Sequence, residues 1–289
     1  MTHIVVTGIL LSGTYALIAL GLTLQYGVAR IMNLANGETL VAGCFVAFWL
    51  YTAFAINPIA GLLVIAPAAF AFNWAIYVVA LRPLVRRARN RGQLEVDSIL
   101  ATFGLLFLLQ GLMLLGFGGE YFSYAFLAER FVIFGSGYGL NRVVAFAAAV
   151  VIAAGLYLFL YRTRQGTAVR AVAADPNSAS LVAIDVSRTA ALAFALGGAL
   201  TACGGALLST FYTFNASMGV IFTMKALIIV IMGGVGDVRG AVLAALALGI
   251  AETAVASLID PGLTLAATYG LFILVLLFRP QGIFGRQTA

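Results

Sequence analysis

Few side chains in this sequence can carry covalent chemistry. There is one histidine, His3, and there are two cysteines, Cys44 and Cys203, each inside an apolar run. A nucleophile–base pair of the Ser–His or Cys–His kind has no residues to be built from away from the chain start. No cysteine–histidine spacing suits a metal, and buried thiols of this sort act as small hydrophobes. The only lysine, Lys225, is followed by Ala226, so the Gly-Lys-Ser/Thr end of a phosphate-binding P-loop is missing despite the nearby Gly233-Gly234-Val235-Gly236. Triad chemistry, metal chemistry and ATP binding by that route are therefore poor readings, and no cofactor is called for. What remains are two carboxylates in apolar surroundings, Glu38 and Glu252. Such a group is either an ion or proton site or a satisfied contact between helices.

The elements that must position them follow from composition. The chain has 289 residues, of which 63% are hydrophobic and 9% charged. Its mean hydropathy is +1.09. Soluble domains carry about 25% charged residues, so this surface must meet lipid. Continuous apolar runs, rather than ten-residue segments of alternating polarity, predict an all-α polytopic membrane protein and argue against a β-barrel. The net charge of +6 comes mostly from arginines in the connections. It reports orientation, not a nucleic-acid partner.

The runs 4–29, 39–56, 59–81, 98–118, 143–161, 189–209, 240–258 and 263–278 read as spans, with a short one ending at Gly233. The count is nine helical segments, or eight if one is re-entrant, in a single transmembrane domain 1–289. The first run lacks a positive segment before it and reads as a retained span. Arg82 to Asp97, with Arg82, Arg86, Arg87, Arg89 and Arg91, reads as a cytoplasmic loop, as does 162–188. The stretch 119–142, without net charge and rich in aromatics, reads as an outer interface. The N-terminus is then outside and the C-terminus cytoplasmic.

Three polar places interrupt the apolar runs. Arg30–Glu38 contains the turn signal Asn36-Gly37. Asn36 can cap a helix starting at Gly37, with Glu38 at the positive end of its dipole. An ordinary interfacial loop and a helix broken inside the bilayer stand equal on residue chemistry. Gly233-Gly234-Val235-Gly236 stops a regular helix and reads equally as a tight cytoplasmic turn or as a second pathway break. In Gly166–Ile184, Asp175-Pro176 separates two short helices, with Asp175 as cap and Pro176 as first residue. That stretch reads as a partner-docking surface or a solvated linker.

These stretches resemble permease subunits of the branched-chain amino acid ABC importers, the LivH type. The resemblance rests on Tyr26-Gly27-Val28-Ala29-Arg30-Ile31-Met32-Asn33-Leu34-Ala35-Asn36-Gly37-Glu38. It also rests on Arg170–Asp175 with Ala183-Ile184-Asp185, on Lys225-Ala226 with the glycine segment, and on Arg279-Pro280-Gln281-Gly282-Ile283-Phe284-Gly285. The sequence departs at Asn36, where the family often has histidine, and at Asp185, where asparagine is common. Relatives of the same build carry amides, urea or aromatic acids, so the solute stays open. The resemblance implies a bacterial inner-membrane importer whose path is formed with a second, usually non-identical, permease subunit. Two cytoplasmic ATPase subunits and a periplasmic solute-binding protein complete it, with membrane lipid around the path. On this reading Asn33, Asn36, Gly37, Glu38, Gly233, Gly234 and Gly236 belong to the substrate pathway, with Glu38 mainly steadying the helix start. Arg170, Asp175, Pro176, Asn177 and Ser180 belong to the coupling helix that seats in the ATPase. The rival is a self-sufficient ion-coupled transporter or channel using Glu38 or Glu252. A structural scaffold leaves the two glycine breaks unexplained.

Overall fold

The computed structural model describes residues 2–88, 90–127, 129–133, 136–279 and 282–283. Arg89, Phe134, and Pro280, Gln281 and Phe284 onward, which include most of the terminal motif, lie outside the described residues. Twelve α-helices make up nearly all of what is described, with one small antiparallel ribbon.

The bundle centres on α9 (Val186–Leu208), which is almost wholly buried. Its small residues let neighbours approach closely. Helix α1 (Thr2–Ala29) runs antiparallel to it, with Gly21 backed directly onto Gly197. Helix α2 (Asn36–Phe54) crosses it where Gly43 meets Ala202 and Gly205 meets Leu40. Helix α3 (Pro58–Ile76) starts where Asn57 accepts a hydrogen bond from the Ile59 N–H at 2.9 Å, the break expected at Asn57-Pro58.

The arginine-rich stretch is more helical than its charges suggest. Helix α3 continues through a π-turn, Tyr77–Leu81, into α4 (Arg82–Arg87). Helix α5 (Arg91–Phe117) begins almost at once, capped by Asn90. The expected loop from Arg82 to Asp97 shrinks to residues 88–90. Arginine lowers hydropathy but is a good helix former, so charge alone does not end a helix.

The aromatic stretch contains β1 (Arg130–Ile133) paired with β2 (Ser136–Gly139), Arg130 facing Gly139. Before it, Phe122 exchanges backbone hydrogen bonds of 2.8 and 3.0 Å with Phe214. Their rings stack beside Phe45 and Phe48. This aromatic end of the bundle lies opposite the arginine-rich end. Burial pushes the Tyr124 phenol there up to about 12, and it shares a 2.9 Å hydrogen bond with Ser209.

Helix α6 (Leu140–Arg162) returns to the arginine-rich end, where α7 (Arg164–Ala174) and α8 (Pro176–Leu181) lie before α9. After α9 the chain enters α10 (Gly219–Gly233), α11 (Val238–Leu258) and α12 (Thr264–Phe278). Among the described residues, eight helices are long and apolar enough to cross a bilayer. Helix α10 has 15 residues, about 22 Å at 1.5 Å each, against a core of about 30 Å.

Candidate functional site

Helix α10 starts beside the start of α2. The first turn of α2 also lies against α9, where Thr201 donates to Asn36. A side chain on Gly37 would strike the carbonyl of Gly219, and a side chain on Gly219 would strike the Glu38 carboxylate. From this junction α2 runs to the aromatic end and α10 to the arginine-rich end. Two helix N-termini, each carrying a positive partial charge, thus converge inside the bundle.

The segment linking α1 to α2 is held by polar side chains dispersed through other helices. Arg30 leaves α1 in a left-handed conformation, φ 56°. The Asn33 amide donates to Gln25 Oε1 at 2.9 Å and accepts from the Ala35 N–H at 3.0 Å. Gln25 in turn donates to the Phe194 carbonyl of α9 at 3.2 Å. Thr102 of α5 accepts from the Leu34 N–H at 3.2 Å. Thr223 of α10 accepts from the Gly37 N–H at 2.8 Å and donates to the Leu34 carbonyl at 3.1 Å. Buried backbone groups need such partners, and here they come from far along the chain.

Asn36 does not cap α2. It is the first helical residue, and Ala35, which offers no side-chain bond, precedes it. The acceptor a cap would have supplied comes from Thr223 instead. The Asn36 Oδ1 accepts from Thr201 at 3.0 Å. Among the described residues, its Nδ2 and both Glu38 carboxylate oxygens have no hydrogen-bond partner. Both residues are 0% exposed. Leaving such groups unpaired costs about 1–3 kcal/mol each, so each asks for an explanation.

Gly233, Gly234 and Gly236 do not join this junction. They sit at the opposite end of α10, in the tight turn to α11, where Gly234 and Gly236 have φ of 99° and 83°. Gly233 backs onto Gly240, and Gly236 lies against Gly27 at the end of α1. Asp237 caps α11 through the N–H groups of Arg239 and Gly240, each at 2.8 Å.

The second polar stretch folds as two short helices. Asp175 accepts from the Asn177 N–H at 3.0 Å, with Pro176 first in α8. The Ser180 hydroxyl donates to the Asn177 carbonyl at 2.7 Å. Arg170 turns inward, donating to the Leu160 carbonyl at 2.9 Å with its guanidinium 4.4 Å from the Tyr161 ring centre. Leu181 and Val182, which the sequence reading passed over, are 86% and 69% exposed. Arg30 donates to the Ala173 carbonyl at 3.2 Å. One hydrogen bond therefore ties this helix pair to the segment that carries the junction.

Glu252 is a satisfied contact. Lys225 pairs with it at 2.8 Å, Tyr15 donates to it at 2.7 Å, and Thr268 donates to its other oxygen. A neutralised pair in place of a lone carboxylate takes Glu252 out of the ion-coupled reading and leaves it Glu38.

Among the described residues, eight helices long enough to span and a shorter ninth, which begins within the bundle beside unpartnered polar groups, define a polytopic membrane protein of the transport class. Residues 4–278 match the family described as branched-chain amino acid transport system, permease component. The chain belongs to that family. It is a permease component of a branched-chain amino acid ABC transport system, and such subunits are not catalytic. It is 33% identical to the high-affinity branched-chain amino acid transport system permease protein BraD of Pseudomonas aeruginosa, over 97% of this chain and 94% of the relative. Against the permease protein LivH of Escherichia coli, identity is 32% over 96% and 94%. A probable LivH of Methanocaldococcus jannaschii is 29% identical over 96% and 90%. No solved structure matches the chain.

Proposed function

We propose that this chain forms one half of a path for branched-chain amino acids, completed by a second, homologous permease subunit in a bacterial inner membrane. The observation that carries the reading is the junction of α2 and α10. Asn36 offers two unmet N–H donors there, and Glu38 offers unmet acceptor oxygens. A solute with a carboxylate and an ammonium finds both kinds of partner at one point. Asn33 shapes the segment, Gly37 lets α10 approach, and Glu38 steadies the α2 start. The turn at Gly233, Gly234 and Gly236 lies at the cytoplasmic mouth.

The arginine-rich end faces the cytoplasm, which puts the C-terminus there too. The helices within 162–188 are the seat for one of two ATPase subunits. Asp175, Pro176 and Asn177 set the bend, Ser180 closes the α8 turn, Arg170 anchors α7, and Leu181 and Val182 supply apolar contact. A periplasmic binding protein delivers the solute at the aromatic end. ATP-driven closure of the ATPase pair moves α7, and the Arg30 bond to Ala173 carries that motion to the junction.

The test is reconstitution of the chain with its partner subunits and binding protein in proteoliposomes. ATP-dependent uptake of labelled leucine, isoleucine or valine is expected. Uptake of urea or an amide with none of these three would contradict the solute. Gradient-driven uptake by the chain alone would contradict the class.

A further inference from the structure

The buried Lys225–Glu252 pair lies at the floor of a cavity. The cavity measures about 230 Å³ and opens toward the aromatic end of the bundle. This suits a small solute, since pockets for drug-sized ligands run from about 300 Å³. Leu11 and Phe211 supply apolar wall, while Arg142 and Tyr212 stand at the mouth. The Arg142 guanidinium lies 5.7 Å from the Phe211 ring centre. Burial, then the Glu252 charge, holds the Tyr212 phenol above its ordinary value, so it stays a neutral hydrogen-bonding group.

The floor carries both signs. Lys225 donates to Tyr15 at 2.8 Å and to Glu252 at 2.9 Å, and lies 4.9 and 5.6 Å from the ring centres of Tyr15 and Phe222. These bonds join α1, α10 and α11, and the Thr268 bond to Glu252 adds α12. A buried ion pair is a poor device for stability alone, because desolvation offsets most of the attraction. A net-neutral dipole facing a small cavity, walled by Leu11, Phe211 and Ala256 and by the hydroxyl-bearing Thr7, Thr253 and Thr264, has a different use.

We infer that this cavity is a loading site for the amino acid zwitterion on its way to the junction. This rests on the solute reading above. The solute's carboxylate takes Lys225 and its ammonium takes Glu252, with the apolar side chain against Leu11 and Phe211. The protein's own ion pair closes when the solute leaves, so no charge is orphaned at any stage. The exchange is nearly balanced, which keeps binding weak and release fast. Lys225 is two residues from Thr223, which holds the junction from the other face of α10. Opening the pair therefore also loosens α10.

The test uses the reconstituted transporter and labelled leucine. Two variants are compared: Thr253→Phe, which fills the cavity and leaves the pair, and Lys225→Met with Glu252→Leu, which removes both charges at similar volume. Removing a buried pair together is tolerated structurally. Both variants are expected to assemble and to hydrolyse ATP when loaded binding protein is added. Uptake KM should rise about tenfold or more, the loss of one charge-assisted bond. Wild-type KM and rate in either variant would overturn the inference and leave the pair a structural contact. If the double variant fails to assemble, Thr253→Phe decides alone. An unmutated transporter that moves no branched-chain amino acid would overturn the solute reading, and this inference with it.

Discussion

The Glu38 carboxylate rests on the Cα of Gly219, so the first turns of α2 and α10 share one point in the bundle. Gly219→Ala puts a methyl group where the carboxylate sits. Overpacking of this kind costs about 1–3 kcal/mol. The expected result is a lower unfolding midpoint of the purified complex and a clear loss of uptake, while ATPase subunits still co-purify. Shortening the acid in the same background, Glu38→Ala with Gly219→Ala, should recover most of the midpoint.

Thr223 serves the backbone on both sides of the Ala35 cap position. Thr223→Val keeps its shape and removes its hydroxyl. The Gly37 N–H and the Leu34 carbonyl are then orphaned, at about 1–3 kcal/mol each. Thermal unfolding should fall accordingly, and more than for Thr253→Val, whose hydroxyl bonds only the Gly249 carbonyl of its own helix at 2.8 Å. Equal midpoints for the two would count against the brace.

The spans were legible because apolar runs declare themselves, and the Asp175 cap was legible because capping is local chemistry. The Asn36 assignment failed because a good capping residue stood one place inside the helix. The acceptor it was expected to provide comes from Thr223, 186 residues beyond Gly37. The short span ending at Gly233 was legible, with 210–218 as the connection before it, but nothing local shows that its first turn meets the start of α2. Lys225 and Glu252 are 27 residues apart on different helices, so no spacing rule joins them. Single threonines and a glutamine in apolar runs were the available signal for the junction, and hydropathy averages them away.

Arg30 links the two proposed functional regions. Arg30→Ala removes the bond to the Ala173 carbonyl. ATP hydrolysis stimulated by binding protein should persist, with uptake per ATP falling severalfold. A parallel fall in hydrolysis and uptake would place Arg30 in assembly rather than coupling.

Leu181→Asp puts a charge on the most exposed apolar position of α8, and Asp175→Lys removes its cap. Both should leave the chain folded in the membrane and reduce recovery of ATPase subunits. A cap is worth about 1 kcal/mol, too little to unfold a bundle of this size. Unchanged assembly for both would move the docking surface elsewhere.

The central claim is that the α2–α10 junction lines the path. Asn36→Cys in a background with Cys44→Ala and Cys203→Ala tests it directly, by modification with a small water-soluble thiol reagent in the reconstituted transporter. Labelling during ATP turnover, slowed by excess leucine, is the predicted result. No labelling under turnover, with uptake intact, would contradict it.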